Sequence, residues 1–523
     1  MKSITPQRAK NLAEEGMEFA LLDTREPGQF GEGHALLANN TPYSELEFII
    51  AKLVPRASSR VALLDDGDGV SERAARRLTD SGYQHVAVVE GGMPAWKAQG
   101  LPIYKGVNVP SKAFGEFVEH ARGTPSIDAD ELAEMMASGK PMVVLDGRTP
   151  EEFQRMSIPM AISCPNAELG LRVDALCPDP DTTVVVNCAG RTRSIIGAQS
   201  LIDLGVKNRV VALRNGTMGW RLAERELRTG EQASLQLQLS DGQLDAAHTR
   251  AKAMALRDGL EFVDSHTVTA WMSDESRTTY LLDVRTEAEY KEAHPWQAVH
   301  APGGQLVQGT DGWIAVRSAR VVLVDHLEVR AVSTAHWLKQ MGLDVYVLHG
   351  RDVRAISTEY PTRPGDIKSK LTMLDGGLTA GAMAGGIPCI DLRSSAAYRA
   401  GHIEGAQWGI RPRLGRLNLG PRVVLVADEI RIAELVAVDL LEVGVEVVGV
   451  LDGDVNAWQT SGLSVVASDD DPADADRVDF LYFVHDRHHG NLDAAREYLA
   501  WETGLVDAMD ADERALFSAV DGT

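Results

Sequence analysis

The chain reads Val144-Leu145-Asp146-Gly147-Arg148, a short apolar run that ends in an Asp-x-Arg triplet. A Glu-rich helical start follows, and Pro150 suits the first turn of a helix. The same pattern returns at three other places: Leu21-Leu22-Asp23-Thr24-Arg25, Leu281-Leu282-Asp283-Val284-Arg285 and Cys389-Ile390-Asp391-Leu392-Arg393. The sequence therefore predicts a fourfold internal repeat.

A second apolar run lies downstream of each triplet. These runs are short, β-branched and without alternation, which is typical of strands buried on both faces of a parallel sheet. The runs are Val61-Ala62-Leu63-Leu64, Val184-Val185-Val186, Val321-Val322-Leu323-Val324 and Val423-Val424-Leu425-Val426. At or just beyond the end of each run stand Asp65, Cys188, Asp325 and Asp428.

The spacing between these landmarks supports the repeat. The triplet Asp precedes the residue after the second run by 42 residues in the first three copies and by 37 in the fourth. The Gly that ends the next helix follows 17 residues later in three copies and 16 later in the fourth. A third apolar run then leads to a Gly turn, and in three copies a core residue follows the turn, at Trp96, Trp220 and Trp458.

This alternation of strands and helices predicts an α/β fold in four tandem domains, each a parallel sheet with helices on both faces. The predicted domains are 1–105, 125–230, 262–358 and 371–467. Residues 231–261 are interpreted as a helical linker. Residues 468–523 are interpreted as an acidic helical tail whose position the sequence does not predict.

The composition narrows the classes of partner. A formal net charge of -23 argues against nucleic acid or a membrane surface, but a local field can still bind a small anion. The sequence contains no run of ~20 apolar residues and no apolar stretch of signal-peptide length near Met1, so we predict a cytoplasmic protein without a membrane span. The four cysteines form no CxxC pair, so no metal site, cofactor or disulfide framework is predicted.

Only the second copy has a cysteine after its buried strand. The strand runs into Cys188-Ala189-Gly190-Arg191-Thr192-Arg193, and a helix follows. Ligands of open α/β sheets bind at the carboxyl ends of the strands, where loop N–H groups and a helix N-terminus attract anions. These groups and the two arginines are expected to lower the Cys188 pKa, and Arg191 and Arg193 are expected to bind an anion.

At these residues the chain resembles the rhodanese family of sulfurtransferases. The resemblance covers the Asp-x-Arg strand, the cysteine loop and the Gly turn with its Trp. It implies that Cys188 carries sulfane sulfur as a persulfide and that Ala189, Gly190, Arg191, Thr192 and Arg193 bind the substrate. It also implies a small anionic donor such as thiosulfate, and a thiol or cyanide acceptor, with a protein sulfur acceptor as a further partner.

The chain departs from the family in one element and in three of its copies. Many family members carry His-Ile-x-Gly-Ala, which the fourth copy retains from His402 to Ala406, while the second copy has Ser157-Ile158-Pro159-Met160-Ala161. The loops that begin at Asp65, Asp325 and Asp428 have a carboxylate where the cysteine belongs. A carboxylate cannot hold a persulfide, so these three copies are predicted to be inactive.

Alternative interpretations remain at this point. A Cys-based phosphatase or arsenate reductase has a Cys-x5-Arg loop, one residue longer than Cys188 to Arg193, and a sulfur carrier or scaffold would use the inactive copies to recruit a partner. Asp146 and Arg148 recur in every copy and are interpreted as structural, with Glu152 as a candidate partner of Arg148. Cys164 and Cys389 are interpreted as packing residues. Cys177 is a candidate resolving thiol, and the cluster from His485 to His489 a candidate metal site or solvated cluster.

Overall fold

Each Asp-x-Arg triplet ends an interior strand of a five-stranded sheet. The computed structural model describes residues 2–233, 238–354, 371–483 and 491–519. In this structure the aspartates of the four triplets are fully buried. In the second copy, Nε and Nη2 of Arg148 donate to the two oxygens of Asp146 at 2.9 and 2.8 Å. Nη2 also donates to the carbonyl of Met156 at 2.6 Å. Since paired charged hydrogen bonds of this kind fix geometry, the triplet locks the turn from the strand into the next helix.

The first copy is built around a parallel sheet. Its elements are β1 Lys2–Ile4, α1 Pro6–Glu14, β2 Ala20–Asp23, α2 Pro27–Glu32, β3 Ala38–Asn40, α3 Leu46–Leu53, β4 Arg60–Leu64, α4 Val70–Asp80, β5 His85–Val89 and α5 Gly92–Ala98. The strand order is β1-β5-β4-β2-β3. Helix α6, Val109–Arg122, leads into the second copy.

The second copy repeats this plan. Its elements are β6 Ser126–Ile127, α7 Ala129–Ser138, β7 Met142–Asp146, α8 Pro150–Arg155, β8 Ala161–Ser163, α9 Asn166–Leu176, β9 Thr183–Asn187, α10 Thr192–Asp203, β10 Val210–Leu213 and α11 Gly216–Leu222. The order β6-β10-β9-β7-β8 places β9 in the centre of the sheet. Within the predicted linker 231–261, α12 spans Asp241–Arg257, and residues 234–237 lie outside the described residues.

The third copy has the same strand order as the first two copies. Its elements are β11 Glu261–Val263, α13 Ser265–Met272, β12 Thr279–Asp283, α14 Glu287–Glu292, β13 Val299–His300, α15 Gly303–Gln308, a 3-10 turn Thr310–Gly312, β14 Arg320–Val324, α16 Val329–Gln340, β15 Asp344–Leu348 and a 3-10 turn Gly350–Asp352. Residues 355–370 lie outside the described residues.

The fourth copy has a five-stranded sheet with the same strand order as the other copies and, in addition, a separate two-stranded ribbon. Its elements are β16 Met373–Leu374, α17 Gly376–Ala384, β17 Cys389–Asp391, α18 Ser395–Ala400, β18 His402–Ile403, β19 Gln407–Trp408, a 3-10 helix Arg411–Arg416, β20 Arg422–Ala427, α19 Ile430–Glu442, β21 Glu446–Asp452, α20 Val455–Thr460 and β22 Val465–Val466. Strands β18 and β22 pair antiparallel, which gives the retained His402 element a structural role. The predicted fold class, four α/β domains with parallel sheets, is confirmed.

The first three copies share one continuous hydrophobic core. It brings together Phe114 of α6, Ile195 of α10 and Trp337 of α16. The ring centroids of Phe114 and Trp337 lie 6.0 Å apart in an edge-to-face arrangement. The indole N–H of Trp337 donates to the hydroxyl of Ser200 at 2.7 Å. The fourth copy is joined by Arg411, which is fully buried and donates to Glu47 of the first copy at 2.6 and 2.8 Å.

The C-terminal tail folds back onto the first two copies. After a 3-10 turn at Asp474–Asp476 it forms α21 Leu492–Thr503, α22 Leu505–Ala508 and α23 Ala511–Arg514. Leu505 and Met509 pack against Tyr104 and Val109 near α6. The cluster from His485 to His489 lies outside the described residues. Within the described ranges, no helix has both the length and the apolar character needed to cross a membrane.

Candidate active site in the second copy

The six predicted site residues connect the central strand to the helix that follows it. Cys188, Ala189, Gly190 and Arg191 form a loop directly after β9, with Arg191 as the residue before α10, and Thr192 and Arg193 begin that helix. The loop therefore lies at the carboxyl end of the sheet and in front of the α10 N-terminus, where helix N–H groups and the helix dipole favour negative charge.

The N-terminus of α11 holds the backbone of this loop. The N–H of Thr217 donates to the carbonyl of Cys188 at 2.8 Å, and that of Met218 donates to the carbonyl of Ala189 at 3.0 Å. Gly216 comes so close that a Cβ on it would lie 2.2 Å from the Cys188 carbonyl oxygen, and its φ is +51°. Only glycine combines that backbone conformation with that approach, so the Gly turn of the repeat fixes the position of the cysteine.

Cys188 is buried, with 1% of its surface exposed. Burial raises the pKa of its thiol, and the charge of Arg193 and hydrogen bonds from Ser194 lower it by less. The expectation of a lowered Cys188 pKa is therefore wrong for this conformation, because the sequence pattern does not reveal how completely the loop is covered. Arg193 and the α10 N-terminus do act in the predicted direction.

The other three cysteines occupy different environments. Cys164 and Cys389 are buried in hydrophobic clusters, and burial raises the pKa of Cys389 to about 12. Cys177 Sγ lies 4.0 Å from the carbonyl oxygen of Thr182, just before β9 begins, whereas Cys188 follows the end of that strand. Five residues of strand at ~3.3 Å each separate the two ends, or ~16 Å. A direct role for Cys177 as resolving thiol therefore does not fit this structure.

Arg193 is paired with Glu152 of α8. Its Nη1 and Nη2 donate to the two carboxylate oxygens at 2.6 and 2.8 Å. Burial alone would raise the pKa of Glu152, but the hydrogen bonds and charge of Arg193 outweigh it and hold this pKa at about 2. Glu152 is thus the partner of Arg193, and the interpretation of Arg148 as its partner is wrong because Arg148 is engaged by Asp146.

Arg191 is held by α6, which lies between the first two copies. Its Nε and Nη2 donate to the carboxylate of Glu116 at 2.7 and 2.8 Å, and Nη2 also contacts Glu119. Burial raises the pKa of Glu116 to about 7 despite the hydrogen bonds from Arg191. The structure therefore brings Arg191 to the loop but ties its guanidinium to two carboxylates, away from the role in anion binding that the sequence suggested.

A cavity of about 110 Å³ opens beside Ala189. Arg155 of α8 and Arg221 of α11 line it, and in the described part of the chain neither guanidinium has a hydrogen-bond or ion-pair partner. Sequence reasoning missed both residues. Comparison of the repeats could have identified Arg155, because the position seven residues after the triplet Arg holds Glu32, Glu292 and Ala400 in the other copies.

The C-terminal helix α21 forms the roof of this cavity. On this side the cavity is lined by Asn491, Leu492 and Ala495. Ala495 also packs against Met218 of α11. Nearby, the hydroxyl of Thr192 donates to Oε1 of Glu502 at 2.7 Å. The tail, which the sequence left without a position, is part of the site.

The corresponding loops of the first and third copies are filled by their own aspartates. The carboxylate of Asp65 accepts the N–H groups of Gly67 and Ser71, each at 2.9 Å. Asp325 accepts the N–H of Leu327 at 3.1 Å and that of Arg330 at 2.8 Å. In the first and third copies, the aspartate side chain thus accepts hydrogen bonds from N–H groups of its own loop. In the second copy, the thiol of Cys188 occupies the corresponding position.

Comparison with known proteins assigns the chain to a family. A family model described as a rhodanese-like domain matches residues 5–99, 128–223 and 266–350, which together exceed half of the chain, and the fourth sheet lies outside these ranges. The crystal structure of a thiosulfate sulfurtransferase from Pseudomonas aeruginosa is 39% identical, with a TM-score of 0.88 over 99% of each chain.

Two curated relatives match shorter stretches. A sulfurtransferase of Allochromatium vinosum is 31% identical over 94 residues, which are 18% of this chain and 85% of that protein. An uncharacterized protein of Synechocystis sp. is 30% identical over 109 residues, which are 21% of this chain and 59% of that protein.

Proposed function

This chain belongs to the rhodanese-like domain family, and on that premise we propose that it is a sulfurtransferase in which Cys188 carries the sulfur as a persulfide. The observation that carries the proposal is the position of Cys188: it is the one thiol in the described structure that follows a central strand and precedes a helix N-terminus. The copies with aspartate at this position are proposed to be inactive and to support the second copy.

In the proposed first half-reaction, the Cys188 thiolate attacks the outer sulfur of thiosulfate or a related sulfane donor. The bond between the two donor sulfurs breaks, and sulfite leaves with the electron pair. Arg193 and the α10 N-terminus favour the thiolate, and Arg155 and Arg221 bind the negative group of the donor in the cavity. This assignment moves anion binding from Arg191 to the two arginines that lack a carboxylate partner in the described residues.

In the second half-reaction, a thiolate or cyanide attacks the outer sulfur of the persulfide. The sulfur–sulfur bond breaks, and its electron pair returns to Cys188 Sγ, which restores the starting enzyme. Such a reaction proceeds through a covalent intermediate with ping-pong kinetics.

The geometry gives less support to the Cys-based phosphatase alternative. Such an enzyme needs the last arginine of its loop to bind a tetrahedral oxyanion. Here Arg193 has both outer nitrogens on Glu152. Arg193 is therefore not free to hold that oxyanion, and the loop from Cys188 to Arg193 is one residue shorter than Cys-x5-Arg, so we favour sulfur transfer.

Thiocyanate formation from thiosulfate and cyanide tests the proposal. We expect Cys188→Ser to abolish activity and the matched control Cys177→Ser to keep it, because Cys177 lies at the opposite end of β9. Activity in the Cys188→Ser variant would overturn the assignment.

The arginine assignment has its own variants. Arg155→Ala and Arg221→Ala should each lower kcat/KM for thiosulfate about tenfold, the effect of losing one charged hydrogen bond of ~1.4 kcal/mol. Arg209→Ala removes an exposed arginine before β10 and is the matched control. Equal effects of all three substitutions would show that only the overall charge matters.

A further inference from the structure

Glu502 reaches the cysteine loop from the last turn of α21. Its side chain is buried, with 1% exposed. Oε1 accepts the hydroxyl of Thr192, the first residue of α10. A carboxylate at the C-terminal end of its own helix is unfavourable, but here it lies at the positive end of α10. The tail therefore places a negative charge at the helix N-terminus that also faces Cys188.

The second oxygen of Glu502 is directed at the loop. Oε2 has no hydrogen-bond partner in the described structure, and it lies 3.4 Å from the position that a Cβ on Gly190 would take. A buried carboxylate oxygen without a partner costs free energy. If Glu502 served only to anchor the tail, the bond from Thr192 to Oε1 would suffice, and a neutral glutamine would provide it.

Both arginines of the loop are already neutralised by carboxylates. Arg193 is paired with Glu152, and Arg191 is paired with carboxylates of α6. Glu502 makes no described ion pair: the charge of Arg191 acts on it, but Arg191 is already bound by two carboxylates. The charge of Glu502 also raises the pKa of Cys188. The carboxylate beside Gly190 therefore repels a donor that brings two negative charges to Cys188 more strongly than a donor that brings one.

We propose that Glu502 is a specificity-determining residue that makes the Cys188 site favour monoanionic sulfane donors of the thiosulfonate class over dianionic thiosulfate. The inference rests on the proposed sulfur transfer. With a thiosulfonate, the Cys188 thiolate attacks the terminal sulfur, the bond to the sulfonyl sulfur breaks, and a sulfinate leaves with the electron pair. The chemistry is otherwise that of thiosulfate, so the two donors differ by one charge on the leaving group.

The test compares methanethiosulfonate with thiosulfate as donors to cyanide, because a methyl group in one replaces a charged oxygen in the other. In the full-length Glu502→Gln protein, kcat/KM for thiosulfate should rise so that the preference for methanethiosulfonate falls about tenfold. Glu502→Asp keeps the charge and should keep most of the wild-type preference. Glu497→Gln changes the same charge on the exposed face of α21 and should leave the preference unchanged.

The outcomes separate this inference from the proposed function. An unchanged preference in Glu502→Gln, whether kcat/KM changes equally for both donors or for neither, would mean that Glu502 only anchors the tail. That result would overturn the inference. If Cys188→Ser transferred sulfur from both donors at the wild-type rate, the proposed function itself would fail, whatever the result at Glu502.

Discussion

Replacing Gly216 by alanine tests whether the Gly turn positions the cysteine. The new Cβ would lie 2.2 Å from the carbonyl oxygen of Cys188, and Cβ atoms essentially never come within 3.0 Å of a heavy atom outside their own residue and its chain neighbours. The atom that must move belongs to the backbone, so no side-chain rotation relieves the contact. The loop that carries Cys188 must shift by close to 1 Å.

The expected loss follows from that displacement. A misplacement of ~1 Å in a catalytic group costs roughly 100-fold in rate. The positive φ and the overpacking together should also lower the free energy of unfolding by roughly 2–5 kcal/mol. The activity loss must therefore be separated from the loss of stability.

The repeat supplies a matched control for that purpose. Gly92 in the first copy has φ +56°, and a Cβ on it would lie 2.3 Å from the carbonyl oxygen of Asp65. Gly92→Ala should destabilise its domain to a similar extent without moving Cys188. Thiocyanate formation and thermal unfolding would be measured for both variants. Wild-type kcat/KM in Gly216→Ala, or an equal loss in Gly92→Ala, would refute the reasoning.

Two further predictions concern charges. Arg193→Ala should raise the pKa of Cys188 further, because it removes the cation that lowers this pKa. The midpoint of the pH profile of iodoacetamide alkylation should therefore move to higher pH, and an unmoved midpoint would contradict this. Burial alone would lower the pKa of His336, but its hydrogen bonds to Asp203 and Asp258 outweigh burial and raise it. The stability that this interaction provides is therefore complete below pH ~6.5 and is lost as the pH rises through the raised pKa. His336→Gln should lower the unfolding temperature most at acidic pH and flatten that pH dependence, and an equal loss at all pH values would count against it.

The repeat and the cysteine loop could be predicted because they are local patterns in register. The Asp-x-Arg triplets, the buried runs and the Gly turns recur at similar spacing in the four copies. In the structure, the five-stranded sheets of the four copies have the same strand order. The position of Cys188, directly after a central strand, follows from that register.

The surroundings of the loop could not be predicted, because they depend on contacts between distant segments. Thr192 and Glu502 are 310 residues apart in sequence, and Arg191 meets Glu116 across 75 residues. No local pattern shows that α6 and α21 enclose the loop. For this reason the sequence predicted that Arg191 and Arg193 lie in the loop after the strand, but it gave the wrong partner for Glu152 and the wrong direction for the Cys188 pKa.

The most direct test of the account is the intact mass of the protein after incubation with thiosulfate and removal of excess donor. We predict the addition of one sulfur atom, located by peptide mapping to the peptide that contains Cys188 and released by cyanide as thiocyanate. The Cys188→Ser protein should gain none. Sulfur on Cys164, Cys177 or Cys389, or no added sulfur in a folded wild-type protein, would contradict the central claim.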